Sequence, residues 1–359
     1  MKYCLNVPIN SVSFGQVATM ILRGLFNKGH EVVVSPIGNS IDFSTQKDDV
    51  NFQNWLTSGV ATFSEKHNRQ DPALKLWHLN GSLESVSKKN ILMTFYELDA
   101  PTKEEINIAK NCDKLVFTNK ETQEIFARCG VESCVVPLAF DDFNFGTKDK
   151  KYFDDGRIVF NLTGKFEKRK HHDKIIKIWA KRFGNDRKYS LQCCVYNGFL
   201  SEAQNKELFV RAVDGKRYEN IQFLNFLQKN TVYNDFLNSA NIILAMSGAE
   251  GWGLPEFHSA AMGKHAVVLN AHGYKEWANK ENAILIQPRG KIDAYDGLFF
   301  HPNKPFNQGK IHDFDVDEFI SGCEEAVRRV ESGKTNEEGL KLQKEFSSDR
   351  MTDEILKLF

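Results

Sequence analysis

Short apolar runs alternate with longer amphipathic stretches along the chain. In the first part this pattern predicts a strand, a loop, a helix and a second strand, at residues 2–7, 8–15, 16–28 and 31–35. Gly29 follows the helix, where a residue with a left-handed backbone commonly ends the last turn. Further apolar runs predict strands at residues 76–79, 90–95 and 114–117. Strands that alternate with helices are typical of a parallel sheet.

A polar stretch at residues 146–156 interrupts this pattern, which then starts again. The second part predicts strands at residues 157–162, 190–196, 220–225, 242–246 and 266–270. It also predicts a helix at residues 173–183, with one apolar face formed by Ile175, Ile176, Trp179 and Phe183. We therefore expect an α/β fold of two Rossmann-like, doubly wound domains, residues 1–155 and 156–359. Because such sheets bind ligands at the carboxyl ends of their strands, we expect the domains to face a central cleft.

The strongest chemical signal lies in residues 247–264, directly after a predicted strand. The glycines of this segment allow backbone amides to approach a ligand closely, and Pro255 suits the first turn of a helix. The start of a helix presents free N–H groups and the positive end of the helix dipole, which favours phosphate oxygens. We expect Glu250 to accept hydrogen bonds from hydroxyl groups beside such a phosphate.

This segment resembles the donor-binding signature of the family 4 glycosyltransferases of GT-B fold, Ser-x-x-Glu-Gly-Phe-Gly-Leu-Pro-x-x-Glu-Ala-Met-Ala-x-Gly. The matching residues are Glu250, Gly251, Gly253, Leu254, Pro255, Met262 and Gly263, with Trp252 in place of the phenylalanine. The resemblance implies that Glu250 holds donor-sugar hydroxyls and that Gly251, Trp252, Gly253 and Leu254 contribute to donor binding. His258 occupies the position of the second glutamate, which in the family contacts the ribose. Glu256 is expected to point elsewhere, because two residues along a helix turn the side chain by about 200°.

A second match lies in residues 163–171, again between a strand and a helix. The family has Gly-Arg-x-x-x-x-Lys-Gly here, and Lys165 and Lys170 fall on its two cations. The resemblance implies that both contact the donor diphosphate. The alternative is that this lysine-rich stretch, including Arg169, is only a solvated face. We expect His171 and His172 at the surface.

The first domain also resembles the family, although its acceptor side departs from the pattern. Its opening is similar, which implies that the loop containing Gly15 faces the donor. The family's acceptor-side histidine is not clearly present. Glu97 and Tyr96 are the candidates in its place, and His78 is the alternative. The resemblance further implies that residues 317–359 cross back to the first domain.

The charge and composition of the chain argue against several classes of function. The chain has 47 basic and 47 acidic residues, which argues against a general polyanion binder. No apolar stretch approaches the roughly 18 residues of a membrane span, and no secretion signal is visible. The seven cysteines form no CxxC pair, so we expect reduced thiols and a cytoplasmic protein. Asp315-Val316-Asp317 resembles a metal motif, but Asp315 is expected to cap a helix, and we expect no metal site.

The resemblance to the family implies a retaining glycosyltransferase that moves a hexosyl or pentosyl group from a nucleotide-diphosphate sugar to an acceptor hydroxyl. It would need neither a metal nor a cofactor. The acceptor would be a glycan or a small molecule. An alternative acceptor is hydroxymethylated cytosine in DNA, as modified by similar enzymes of bacterial viruses, and the cationic run at residues 165–188 favours it. A second alternative is a nucleotide-sugar-binding protein that has lost catalysis, with His258 as the trace of that loss.

Overall fold

Two parallel six-stranded sheets and one antiparallel hairpin form the framework of the computed structural model, which describes residues 3–38 and 41–359. The strands of the first sheet are β1 (Tyr3–Pro8), β2 (Val32–Ile37), β3 (Ala73–Leu76), β4 (Asn90–Met93), β5 (Lys114–Phe117) and β6 (Cys134–Val135). Those of the second sheet are β7 (Ile158–Thr163), β8 (Tyr189–Cys194), β9 (Ile221–Phe223), β10 (Ile242–Ala245), β11 (His265–Leu269) and β12 (Ile284–Ile286). The hairpin consists of β13 (Pro288–Asp293) and β14 (Lys310–Phe314).

Helices flank both sheets. Those before the second sheet are α1 (Ser13–Asn27), α2 (Val50–Ala61), α3 (Phe63–Lys66), α4 (Lys103–Lys110) and α5 (Lys120–Ala127). The helices that follow β7 in the chain are α6 (His172–Phe183), α7 (Glu202–Ala212), α8 (Asn230–Ser239), α9 (Leu254–Ala261), α10 (Val316–Glu331), α11 (Glu337–Glu345) and α12 (Ser348–Leu356). Short 3-10 turns lie at Leu79–Gly81, Lys168–Lys170 and His272–Glu276.

The strand order places a switch point in each sheet. The first sheet runs β2-β1-β3-β4-β5-β6 and the second β12-β11-β10-β7-β8-β9. The order reverses between β1 and β3 in the first sheet and between β7 and β10 in the second. Ligands of doubly wound sheets bind at such reversals, outside the carboxyl ends of the strands. The predicted α/β fold of two Rossmann-like domains is confirmed.

The second domain buries the apolar face predicted for its first helix. Ile175, Ile176, Trp179 and Phe183 of α6 are all 2% exposed or less. Trp179 and Phe183 pack on Phe160 of β7, with ring centroids 5.7 and 5.5 Å away. The helix therefore forms because its apolar stripe has the sheet to cover.

Some elements differ from the sequence prediction. The strand predicted at residues 76–79 is β3, three residues earlier, because Lys75 is buried and its ammonium donates to the carbonyls of Gly81 and Glu84. Helix α1 starts at Ser13, so Gly15 belongs to its first turn and not to a loop. Lys2, at the predicted start of the first strand, lies outside the described residues. Strands β6, β12, β13 and β14 were not predicted.

The last helix lies on the first domain. Thr352 of α12 packs beside Gly24 of α1 so closely that a Cβ on Gly24 would overlap it. Lys28 Nζ lies 3.0 Å from Asp353 Oδ1, and the rings of Tyr3 and Phe359 are 5.0 Å apart. The last strand of the first sheet ends at Val135, and the first strand of the second sheet begins at Ile158. The domain boundary predicted after residue 155 falls between the two sheets and stays a prediction.

Two further predictions concern the redox state of the cysteines and the absence of a membrane-spanning segment. All seven cysteines are free thiols, as predicted. Within residues 3–38 and 41–359, no helix combines the length and apolar character needed to cross a bilayer.

Candidate active site

The loop from β10 to α9 has the geometry that its glycines predict. Gly253 is the N-cap residue of α9 with φ of 79°, and Pro255 lies in the first turn. The ring of Tyr274 packs against Gly253 and leaves no room for a Cβ there. Leu254 begins the helix. The free N–H groups of α9 therefore point toward the carboxyl end of β10.

The same loop contacts the first domain through its backbone. The carbonyl oxygen of Gly251 accepts hydrogen bonds from Thr118 Oγ1 at 2.6 Å and from Asn119 Nδ2 at 3.0 Å. A Cβ on Gly251 would lie 3.0 Å from Cβ of Phe95. Glycine is needed here because two domains meet with almost no space between them. The ring of Trp252 packs in the core on Phe257 and Phe346, so its side chain is not exposed at the surface of the loop.

A buried cluster of charges occupies the switch point of the second sheet. Glu250 Oε1 lies 2.5 Å from Lys170 Nζ and 2.9 Å from an Arg169 guanidinium nitrogen. The same guanidinium lies 3.2 Å from Glu97 Oε1 and 3.1 Å from Glu167 Oε2. Lys170 and Glu250 thus meet, as the two matched segments predict. Arg169, which the alternative interpretation placed on a solvated face, is the centre of the cluster.

The charges in this cluster control one another's protonation. Burial alone would raise the pKa of Glu250, but Arg169 and Lys170 outweigh it and lower the pKa to about 2. Burial would lower the pKa of Lys170, and Glu250 reverses that shift. Glu250 is therefore a carboxylate and Lys170 an ammonium at any pH near neutral.

Lys165 and Lys170 differ in the exposure of their side chains. Lys165 has 41% of its side chain exposed, and its Nζ lies 2.9 Å from Glu167 Oε1. Its ammonium also lies over the ring of Phe299, 4.4 Å from the centroid. The stem of Lys170 crosses Gly164, where φ is 93° and a Cβ would come within 2.7 Å of Lys170 Cε. Gly164 therefore makes room for the buried lysine.

Glu97 is the first-domain candidate that reaches the cluster. It contacts Arg169, and burial raises its pKa to about 7 against the opposing charge of Arg169. Tyr96 points away, since its hydroxyl donates to Glu105 Oε2 at 2.9 Å in the first-domain core. His78 is exposed and packs on Phe14, with ring centroids 4.4 Å apart.

Gly15 lies near the loop of the second domain. Asn10 folds over Gly15 so tightly that a Cβ would overlap the Asn10 backbone. The neighbouring Phe14 ring lies 4.4 Å from the ring of Phe95, which touches Gly251. The first turn of α1 and the Gly251 loop therefore face each other across Phe95.

His258 is buried in an aromatic stack. Its ring lies on Phe145 at 4.6 Å and edge-on to Phe140 at 5.3 Å, in the segment that connects the two sheets. Burial lowers its pKa to about 3, so the ring is neutral. Its Nδ1 has no hydrogen-bond partner among the described residues. The ribose contact stays a prediction, and packing against the connecting segment is the role that the structure shows.

Glu256 points in a different direction from His258, as predicted. It accepts a hydrogen bond from Thr163 Oγ1 at 3.0 Å, at the carboxyl end of β7. Burial raises the pKa of Glu256, and the charge of Lys170 opposes this shift. Glu256 therefore lies beside the charge cluster, a location that the signature did not indicate.

The prediction that His171 and His172 lie at the surface is wrong. His171 is 5% and His172 1% exposed, and their Nε2 atoms bond to the carbonyls of His312 at 2.7 Å and Thr163 at 2.9 Å. The lysine-rich stretch turns inward here because carboxylates from distant segments neutralise it. No local pattern contains that information.

Four further cations of the run are paired at the surface, whereas Lys168, Lys181 and Arg187 have no ion pair among the described residues. Lys174 Nζ lies 2.6 Å from Asp313, Lys177 Nζ 3.0 Å from Asp173, and Arg182 2.7 Å from Glu324. Lys188 pairs with Glu331. Pairing of these four cations reduces the excess positive charge that binding to a nucleic acid backbone requires.

The predicted helix cap at Asp315 is confirmed. Its carboxylate accepts from the N–H groups of Asp317 and Glu318 at the start of α10.

Residues 145–298 match the protein family described as Glycosyl transferases group 1. No curated protein matches the chain in sequence. Among solved structures, a sucrose-phosphate synthase from Thermosynechococcus elongatus superposes with a TM-score of 0.70 at 10% identity, over 100% of this chain and 98% of that one. HepE from Anabaena, in complex with UDP and glucose, gives 0.68 at 13% identity, over 100% and 99%. An α,α-trehalose 6-phosphate synthase from Burkholderia multivorans gives 0.63 at 11% identity, over 99% and 95%. The chain therefore has the two-domain GT-B fold, and the part of it that carries the charge cluster matches the group 1 glycosyl transferases.

Proposed function

We propose that this protein is a retaining glycosyltransferase that takes its sugar from a nucleotide-diphosphate donor and needs no metal for the transfer. The observation that supports this most directly is the contact between Lys170 and Glu250 at the switch point of the second sheet, beside the start of α9. Two segments far apart in sequence, each matching the donor signature, meet there.

The donor diphosphate would lie between Lys165, Lys170 and the free amides of α9. As the bond between the sugar C1 and the diphosphate oxygen breaks, negative charge grows on the leaving diphosphate. Fixed cations and helix amides stabilise such charge without having to reorganise. This electrostatic stabilisation is commonly the largest contribution to catalysis. Glu250 would accept hydrogen bonds from the sugar hydroxyls, and Arg169 would hold Glu250 and Glu97 in position. The acceptor oxygen would then bond to C1 on the face from which the diphosphate leaves.

The first domain offers a cavity for the acceptor. It has a volume of about 640 Å³ and is lined by polar and aromatic side chains, among them Asn6, Ser35, Trp77, Asn80 and Glu84. Trp77 packs on Phe14 at 5.7 Å, which connects the cavity to the cleft. This size and lining favour a glycan or a small polar molecule as the acceptor.

The alternative acceptor, hydroxymethylated cytosine in DNA, has weaker support. Most of the cations in the run that suggested it are paired with acidic side chains. If DNA were the acceptor, affinity for duplex DNA would fall steeply with rising salt. An affinity that is independent of salt would argue for the small acceptor.

Donor binding tests the proposal. We expect one nucleotide sugar in a thermal-shift screen, starting from UDP-glucose because HepE has been solved with it, to stabilise the protein by about 2.7 kcal/mol at 100 times its dissociation constant. Replacing Lys165 by alanine should weaken that binding by at least about tenfold, since a charge-assisted hydrogen bond contributes about 1.5–3 kcal/mol.

The matched control is Lys148→Ala. Lys148 is as exposed as Lys165, with 39% of its side chain accessible, and it also pairs with a carboxylate, Asp235. Equal donor affinity of both variants would remove Lys165 from the diphosphate site. Release of free sugar from the bound donor, or its transfer to an acceptor, would separate an enzyme from a sensor that binds without turnover.

The pH dependence of the reaction tests Glu97. Because burial raises its pKa to about 7, the carboxylate form grows as pH increases through neutrality. If that form orients the acceptor hydroxyl or takes its proton, kcat/KM rises through about pH 7 and then levels off. Glu97→Gln should abolish this rise and leave a flat, low profile.

Asp99→Asn is the control for this profile. Burial would raise the pKa of Asp99, but Lys291 and the Lys310 amide lower it, so Asp99 stays ionised over the same range. The rise should therefore keep its midpoint in Asp99→Asn. A rise that persists in Glu97→Gln would assign it to another group.

A further inference from the structure

Glu121, His272 and His312 converge at the boundary between the two domains. Glu121 lies in the first turn of α5, His272 begins the 3-10 turn after β11, and His312 lies in β14. One potential ligand atom from each residue, two imidazole nitrogens and a carboxylate oxygen, lies within 4.8 Å of the others. Three separate segments thus supply one group each.

The two distances from Glu121 to the histidine nitrogens fit a tetrahedral metal ion. Glu121 Oε1 lies 3.0 Å from His312 Nε2 and 3.6 Å from His272 Nε2. Bonds of about 2.0–2.1 Å to Zn²⁺ place neighbouring ligand atoms of a tetrahedron about 3.4 Å apart. Imidazole suits zinc and its first-row neighbours, and a carboxylate completes a three-ligand set. Glu121 and His312 keep 17% and 15% of their side chains exposed, so water can reach a fourth position.

The buried ring of His272 is a second, independent observation that points to a bound metal ion. Its side chain is 1% exposed, and in the described part of the chain neither Nδ1 nor Nε2 has a hydrogen-bond partner. Leaving such a group unsatisfied costs about 1–3 kcal/mol. The carboxylate of Glu121 is already engaged by His312, by the backbone N–H of His272 and by Lys275. A cation between His272 Nε2 and this carboxylate would give that nitrogen a ligand bond.

We propose that Glu121, His272 and His312 bind a divalent transition metal, Zn²⁺ in the first instance, with water as the fourth ligand. Glu121 belongs to the first domain and both histidines to the second, so the metal holds the domains together. It also braces the loop that carries Glu250. The N–H of Gly273 donates to the Glu250 carbonyl at 3.0 Å, and the N–H of His312 donates to the Gly248 carbonyl at 2.9 Å. The metal positions this loop and takes no part in sugar transfer.

Metal binding is measured without any nucleotide sugar, so its outcome is independent of the proposed function. The full-length protein, freed of metal with a chelator, is titrated at pH 7.5 with Co²⁺ followed by visible absorption and with Zn²⁺ followed by calorimetry. We expect one equivalent of each to bind, and Co²⁺ to show the intense visible bands of a four-coordinate site. Glu121→Gln and His272→Ala should each weaken binding by at least about 100-fold, since even outer-shell changes cost 10- to 100-fold.

Two further variants sharpen this test. Lys275→Ala should tighten binding, because it removes an ammonium 3.2 Å from the Glu121 carboxylate. His301→Ala, which removes a half-buried histidine outside the cluster, should leave the affinity unchanged. If His272→Ala does not fold, the isosteric Glu121→Gln carries the test alone. Absence of saturable binding, or equal affinity in wild type and Glu121→Gln, would overturn the proposal.

Discussion

Replacing Glu250 by glutamine is expected to lower kcat by about 100- to 1,000-fold, the range seen when one fixed electrostatic contact to a transition state is removed. Glutamine keeps the size of the side chain but removes the charge that Lys170 and Arg169 share. Those two cations would also be left without their common partner. Breaking a buried ion pair costs about 3–5 kcal/mol, so the variant should unfold at a lower temperature and still be folded at 25 °C. Steady-state kinetics with saturating donor, together with circular dichroism, measure both effects.

Glu105→Gln is the matched control for Glu250→Gln. Glu105 is 1% exposed and accepts hydrogen bonds from Tyr96 and the Thr102 amide in the first domain, away from the charge cluster. We expect a comparable loss of stability with little loss of turnover. If both variants lost activity equally, the effect of Glu250 would be structural and its proposed role in holding the sugar would be wrong.

Replacing Lys170 by methionine should reduce kcat/KM for the donor by about 100- to 1,000-fold, because a buried cation would no longer face the leaving diphosphate. Methionine fills the space over Gly164 that the lysine stem occupies, so the change removes charge more than volume. Because Glu250 and Lys170 contact each other, the double variant should be much less impaired than the product of the two single effects. Donor-dependent rates of the wild type, both single variants and the double variant complete this cycle.

Lys264→Met controls for the loss of a partly buried lysine in the same domain. Its ammonium donates to the Asn238 carbonyl at 2.7 Å, and burial lowers its pKa to about 8. Donor kinetics of this variant should match the wild type. Independent, multiplying effects of Glu250→Gln and Lys170→Met would show that the two residues do not act on the donor as a unit.

The elements nearest the site could be predicted because their signals are local. Strand β10, the glycine turn at Gly253 and Pro255 in the first turn of α9 follow from apolar runs and backbone preferences within a few residues. Lys165 and Lys170, at the end of β7, were identified by resemblance to the two cations of the family 4 glycosyltransferases. Strand β3 was misplaced by three residues because a buried lysine interrupts its apolar run.

The location of the charges, by contrast, depends on contacts between distant segments. Arg169 and the two histidines after Lys170 have the pattern of a polar surface. However, Glu97 from the first domain and Glu250 from the loop after β10 neutralise the cations, so the stretch is buried. Charges are buried only when their partners are also present, and those partners lie elsewhere in the sequence.

The amino-acid sequence by itself determined two α/β domains and the glycine turn before α9, since periodicity and turn preferences act over a few residues. Its resemblance to the family 4 glycosyltransferases predicted the roles of Glu250, Lys165 and Lys170. Only the tertiary structure decided that Arg169 is central, that His258 packs on Phe140 and Phe145, and that Glu121 meets His272 and His312. Each of these depends on long-range contacts, whose energies exist only after the chain has folded.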